Sequence, residues 1–249
     1  MPFPLFIAII SGLAGFLGGL TGTGGIIMPP LMTGIYAVPP HLATGMAQAS
    51  YFIPSLLASL LFLRRGQLDW RVAMPMSLSG LAATFASAAW LKPLLANSSL
   101  NIFFALCILI SGLAMLGRSS WRLDSPLSPP WRAPILFLLG ALVGLMAGIT
   151  GSGGNAVLVP AMTFLGLEIL VVMAACQFFS CLAAFFGFIG NSLNMEIDLA
   201  IIACMVATQM LGIWLGVGLA QRMDTTRLKR AVGLVCLLAG IFMIARELS

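Results

Sequence analysis

The sequence predicts an all-α polytopic membrane protein of two inverted-topology repeats. Each repeat is a glycine-broken hairpin, re-entrant or made of half-helices, followed by three transmembrane helices. Three observations predict this. The 249-residue chain is 60% hydrophobic and only 8% charged, too little polar surface to cover a soluble globule of that length. One unusual segment occurs twice, as Leu20-Thr21-Gly22-Thr23-Gly24-Gly25 and as Ile149-Thr150-Gly151-Ser152-Gly153-Gly154, with Thr150 lying 129 positions after Thr21. Finally, the cations sort unequally among the loops between apolar runs.

The first repeat (1–117) opens with the apolar region 4–36. A single crossing needs only ~20 residues, and the glycine cluster falls in the middle of this region, so it reads as a broken hairpin. Met1-Pro2-Phe3-Pro4 lacks the cationic stretch of a secretory signal, which makes this region part of the mature fold. Runs at 42–63, 72–91 and 99–117 have the length and composition of spans. The segment 118–133 is rich in Ser, Pro and Arg, with Trp121 and Trp131 suited to the membrane interface, and reads as a cytoplasmic linker. The second repeat (134–249) repeats the order: a broken hairpin at 134–166, then spans at 169–190, 199–220 and 228–245.

Laying the halves over one another at an offset of 129 extends the duplication. Gly15 falls on Gly144, Gly19 on Gly148, Thr21 on Thr150, Thr23 on Ser152, Gln48 on Gln177 and Asp69 on Asp198. Ala83 and Ser87 fall on Gly212 and Gly216, keeping a small-xxx-small spacing that lets helix backbones approach in lipid.

Charge decides between parallel and inverted repeats, since cytoplasmic loops favour Lys and Arg. If each broken unit starts and ends on one side, Arg64, Arg65, Arg71, Arg118, Arg122, Arg132, Arg222, Arg227, Lys229 and Arg230 share a side, and only Lys92 and Arg246 take the other. If each unit crossed once, the cations would divide almost evenly. The inverted scheme places both termini outside and the linker in the cytoplasm. Equivalent loops agree. Arg64, Arg65 and Arg71 face Leu193, Asn194 and Ala200, while Pro93, Ser98, Leu100 and Asn101 face Arg222, Arg227, Lys229 and Arg230.

A pair of glycine-broken segments in matching halves is the sequence pointer to a transporter's binding site. The paired L-T-G-x-G-G and I-T-G-S-G-G segments, the prolines that follow them (Pro29, Pro30, Pro160) and the loop Gly66-Gln67-Leu68-Asp69-Trp70 are similar to the TauE/SafE family of sulfite and organosulfonate exporters. The similarity covers both halves. Family members often carry a third consecutive glycine, where this chain has Ile26 and Asn155. The resemblance implies a secondary transporter of the inner membrane that exports a small sulfur-containing anion, sulfite or a small organosulfonate. Rival readings are a carrier or channel for another small anion such as a carboxylate, and a scaffold subunit that recruits partners through the linker.

All seven carboxylates fall in loops or at span ends, so an ion inside the membrane must be held by neutral groups. Glycines expose backbone N–H groups, and a helix arm starting near Gly25 or Gly154 points its positive end at the break. The incoming arms point negative ends to the same place, which leaves a sodium site open as an alternative. Thr21, Thr23, Thr150 and Ser152 are expected to donate hydroxyl hydrogen bonds to the anion beside the backbone of Gly22, Gly24, Gly25, Gly151, Gly153 and Gly154. The rival role is that the glycines permit packing and the hydroxyls satisfy carbonyls. Gln48 and Gln177 carry paired amides that reach either substrate or a neighbouring helix. Asn155 makes the site asymmetric, or simply caps a helix.

No cofactor and no metal are expected. One histidine, His41, excludes H-E-x-x-H zinc chemistry, no strand or acidic ribose ligand accompanies the glycines, and no nucleophile constellation appears, so an enzyme is not expected. The net charge of +5 resides in loops without an aromatic-interleaved basic face, which argues for topology and lipid contact and against nucleic acid. Cys107, Cys176, Cys181, Cys204 and Cys236 lie inside spans as packing residues. The expected partners are the anion and the bilayer, and a homodimer is among the assemblies the sequence permits.

Overall fold

Helix α1 (Phe3–Thr21) stops where Gly22 takes a φ of 78°, and a 3-10 turn over Gly24–Ile26 follows. Helix α2 (Pro40–Arg64) starts on Pro40, whose fixed φ suits a first turn that needs no N–H partner. It ends at Gly66 (φ 69°), with Gly66 N–H donating to Leu63 and Gln67 N–H donating to Phe62. Asp69 then caps α3 (Trp70–Ala86) by accepting from Arg71 N–H at 2.9 Å. A widened π turn carries α3 on to Leu91. Helix α4 (Ser98–Leu116) closes this half. Helices α5 (Pro129–Thr150), α6 (Asn155–Phe164), α7 (Ile169–Ser192), α8 (Leu199–Ala220) and α9 (Thr225–Leu248) follow. The computed structural model describes residues 3–26, 28–29, 32–33, 38–91, 98–117, 129–151, 154–192 and 199–248. Residues 118–128 of the expected linker (118–133) lie outside them.

Six described helices are long and apolar enough to cross a membrane: Leu42–Arg64, Trp70–Leu91, Trp131–Thr150, Ile169–Asn191, Leu199–Ala220 and Thr225–Ala245. Five coincide with expected spans. The sixth belongs to α5, which the sequence reading placed inside the second broken hairpin. That helix also begins before the expected boundary at 134, because Pro129 and Pro130 serve its first turn.

Helix limits recur at the same offset of 129. Helix α3 with its π turn covers 70–91 and α8 covers 199–220, while α2 and α7 begin at 40 and 169. Packing recurs with them. Along the α1–α8 crossing, Gly12 meets Thr208, Gly15 meets Gln209, and Gly19 meets Ile213 and Val217. Along the α5–α3 crossing, Gly140 meets Met76, Gly144 meets Gly80, and Gly148 meets Thr84 and Ala88. Residue numbers rise together on both helices, so each crossing is parallel. Gly212 and Gly216 seat against the α1 backbone, as their small-xxx-small spacing predicts.

Two further pairs join a helix to its own counterpart. Helices α2 and α7 run antiparallel, with Gln48 beside Gly187 and Asn191, and Phe52 stacked 5.1 Å from Phe185. Helices α4 and α9 do the same, with Gly112 beside Gly233 and Leu237, and Gly240 beside Ala105 and Leu109.

Three contacts fix one end of the bundle. Gln221 donates to Gln67 at 3.3 Å, Arg132 pairs with Asp69 at 3.7 Å, and Arg65 and Arg222 line one cavity. Helices α2 and α8 therefore finish, and α3 and α5 start, at this end. Since α7 runs opposite to α2, it also starts there. The segment 129–164 thus leaves from and returns to a single end of the molecule.

Candidate functional site

The two breaks are built alike. Gly22 (φ 78°) turns the first, and Gly151 (φ 70°) and Gly154 (φ 64°) turn the second, all in the left-handed region that favours glycine. Thr21 donates its hydroxyl hydrogen to the Leu17 carbonyl at 2.7 Å, and Thr150 donates to Met146 at 2.8 Å, again 129 positions on. Thr21 Oγ1 also lies 2.7 Å from Thr23 Oγ1 and accepts Thr23 N–H at 3.3 Å. A hydroxyl has one hydrogen. With that of Thr21 on Leu17, Thr23 is the donor to Thr21, and these two side chains hold the first turn in shape. Ser152 and Gly153 lie outside the described residues.

The glutamines cross between repeats. Gln48 Nε2 donates to the Ala147 carbonyl at 3.1 Å, and Gln177 Nε2 donates to the Gly18 carbonyl at 2.8 Å. Ala147 and Gly18 are equivalent positions at the offset of 129. Each second-helix amide therefore grips the last turn of the other repeat's broken helix. Both are buried, Gln177 completely, so neither amide has water as a substitute partner.

Asn155 breaks the symmetry, since its counterpart is Ile26. It opens α6 without capping it. Instead its Nδ2 donates to the Gly22 carbonyl at 2.7 Å, to Ser180 Oγ at 2.7 Å and to the Cys176 carbonyl at 3.3 Å. The bond to Gly22 ties the second break directly to the first.

Between the breaks lies a cavity to which both halves contribute. Gly25, Gln48 and Tyr51 face it from the first, and Ala147, Gly151 and Ser180 from the second. No lining residue is charged. About 10 Å³ is open to the centre of a water-sized sphere, room for about one water molecule. The polar groups on its walls are the Gln48 amide, the Tyr51 and Ser180 hydroxyls and the backbone at the breaks. Tyr51 lies against Gly18, with the Gln177 side chain and Gly25 backbone beside it. The N-terminal end of α6 brings about half a positive charge to this place, and the C-terminal ends of α1 and α5 bring the opposite sign. Among the described residues no cluster of His, Cys, Asp and Glu could hold a metal ion.

Of the residues singled out from sequence, Gly25, Gln48 and Gly151 line the cavity. Thr21, Gly22, Thr23, Gly24, Thr150, Gly154, Asn155 and Gln177 shape the breaks and the helices around it. The search for identical pairs missed Tyr51, Ser180, Ser50, Asn191 and Gln209. Asn191 donates to Gln48 Oε1 at 2.8 Å, and the fully buried Gln209 donates to Ser50 Oγ at 3.0 Å. Their signal was a polar residue inside an apolar run, unlike its partner in the other half.

The family described as Sulfite exporter TauE/SafE matches the chain over residues 7–243. Several relatives match along nearly their whole length. "Probable membrane transporter protein YunE" of Bacillus subtilis is 21% identical, covering 96% of this chain and 97% of its own. A protein of Haemophilus influenzae named "Probable membrane transporter protein" is 24% identical, covering 98% and 99%, and one of the same name from Xylella fastidiosa strain 9a5c is 26% identical, covering 95% and 93%.

Proposed function

We propose a substrate and a mode of transport from one premise: the chain belongs to the sulfite exporter TauE/SafE family. It is a multi-pass membrane protein of a transporter family and not an enzyme. Our reading is a secondary transporter that carries a small sulfur-containing anion, sulfite or a small organosulfonate, outward across the inner membrane. The repeats are inverted, both termini lie outside, and the linker is cytoplasmic.

One observation carries the location of the site: the exchanged pair of bonds from Gln48 to Ala147 and from Gln177 to Gly18, with a cavity between the breaks that both halves line. Repeats related by an axis in the membrane plane put each self-paired helix antiparallel to its counterpart, and α2–α7 and α4–α9 run that way. The gathering of Arg65, Arg132 and Arg222 at one end supports the sidedness. The anion sits between Gly25 and Gly151, taking hydrogen bonds from the Tyr51 and Ser180 hydroxyls, backbone N–H groups and the second N–H of Gln48. The space open in this structure is smaller than sulfite, so loading requires the two breaks to separate. Rocking of one repeat against the other, with the glutamine bonds released in turn, supplies that motion.

Uptake by purified protein in liposomes tests the reading. Saturable sulfite or sulfonate flux, with counterflow and with loss in a Gln48→Ala/Gln177→Ala double variant, is expected. Equal flux of carboxylates, or flux that never saturates, overturns the substrate or the carrier assignment respectively.

A further inference from the structure

At the end of the bundle where α2 and α8 finish, a groove of about 320 Å³ opens between these helices, one from each half. Arg65 and Arg222 line it together with the apolar Leu61, Trp214, Gly218 and Leu219. Trp214 is 59% exposed and Leu219 42% exposed, as surfaces facing lipid are. Trp214 lies six residues before the last residue of α8, so at 1.5 Å per residue the apolar wall runs roughly 9 Å along the helix. Of the cations at this end, Arg132 pairs with Asp69 and Arg227 with Asp224. Arg65 and Arg222 have no ion pair among the described residues.

Two arginines lining one groove with apolar side chains match a molecule with an anionic head and a hydrocarbon tail. Guanidinium forks bind phosphate oxygens in pairs, and basic clefts between membrane helices hold lipid headgroups. We propose that this groove is a binding site for an anionic phospholipid, its phosphate between Arg65 and Arg222 and an acyl chain along Trp214 and Leu219. The lipid bridges the two halves next to the Gln221–Gln67 hydrogen bond. The site is independent of the transported substrate.

Gly218 offers a way to block the groove without removing charge, because a Cβ placed there meets nothing within 4 Å. Delipidated protein is titrated with phosphatidylglycerol, phosphatidylcholine and inorganic phosphate, and bound lipid is counted by native mass spectrometry. Retention of phosphatidylglycerol over phosphatidylcholine is expected. Arg65→Gln/Arg222→Gln should weaken it roughly thirtyfold, Arg65→Lys/Arg222→Lys should restore most of it, and Gly218→Leu should abolish it with both arginines present. Unchanged thermal midpoints in the Gly218→Leu protein separate lipid loss from misfolding. Equal retention of both lipids, indifference to these substitutions, or inorganic phosphate competing at the lipid's own affinity overturns the proposal.

Discussion

Gln48 and Gln177 each give one amide hydrogen to a carbonyl near the end of α5 or α1, Ala147 or Gly18, which also accepts the backbone N–H of Gly151 or Gly22 four residues on. A buried amide bond between membrane helices contributes roughly 0.5 to 2 kcal/mol. Gln177→Ala and Gln48→Ala should each lower the thermal midpoint of purified protein by a few degrees, and Gln48→Ala by more, because it also removes the acceptor of Asn191. A change in only one would mean that the other bond adds nothing to stability. The sequence made these amides visible because they are identical at matched positions. It hid Ser50, Tyr51, Ser180, Asn191 and Gln209, whose counterparts are Phe179, Ser180, Tyr51, Phe62 and Gly80. Such residues act through their difference from the other half, so a comparison that rewards likeness passes over them. The hydroxyls of Thr21 and Thr150 teach a related lesson. Composition marks them as donors, but a hydroxyl at a helix end reaches its own i−4 carbonyl first.

Among elements, the α1–α8 crossing depends on glycines that bring two backbones together. A Cβ on Gly212 would lie 2.6 Å from Phe16 N and press on the Gly12 carbonyl, both backbone atoms that cannot swing aside. On the same helix, a Cβ on Gly218 meets open space. Gly212→Ala should therefore cost about 1 to 3 kcal/mol, whereas Gly218→Ala should be neutral or stabilise by up to about 1 kcal/mol. Unfolding midpoints of the two proteins decide this, and equal effects would refute the close crossing. Element limits were well marked in the sequence, because an apolar run that stops at Gly66-Gln67-Leu68-Asp69 contains both a helix stop and the next N-cap. The start of α5 was not, because Pro129-Pro130 reads equally as linker and as a helical first turn.

Across the whole molecule, the proposed topology puts the ends of α2 and α8 in the cytoplasm. A single cysteine at Arg65 should react with an impermeant maleimide only in inside-out vesicles, and one at Pro39, exposed before α2, only in right-side-out vesicles. Labelling of both from one side would sink the scheme. The sequence suggests this arrangement through its duplication and its loop charges. Contacts between halves were not legible, because they join residues 99 to 159 positions apart through helices that share no local pattern. One such contact bears on ancestry. Phe179 fills the space over Gly80, while at the corresponding place Gln209 bonds Ser50. Bulk does on one side what a hydrogen bond does on the other. The halves have therefore become complementary and can no longer substitute for each other. A tandem of two first halves would set Ser50 over Gly80 and leave a void, and a tandem of two second halves would drive Gln209 into Phe179. Neither tandem should match the thermal midpoint of the parent chain, so a gene once doubled now needs both of its copies.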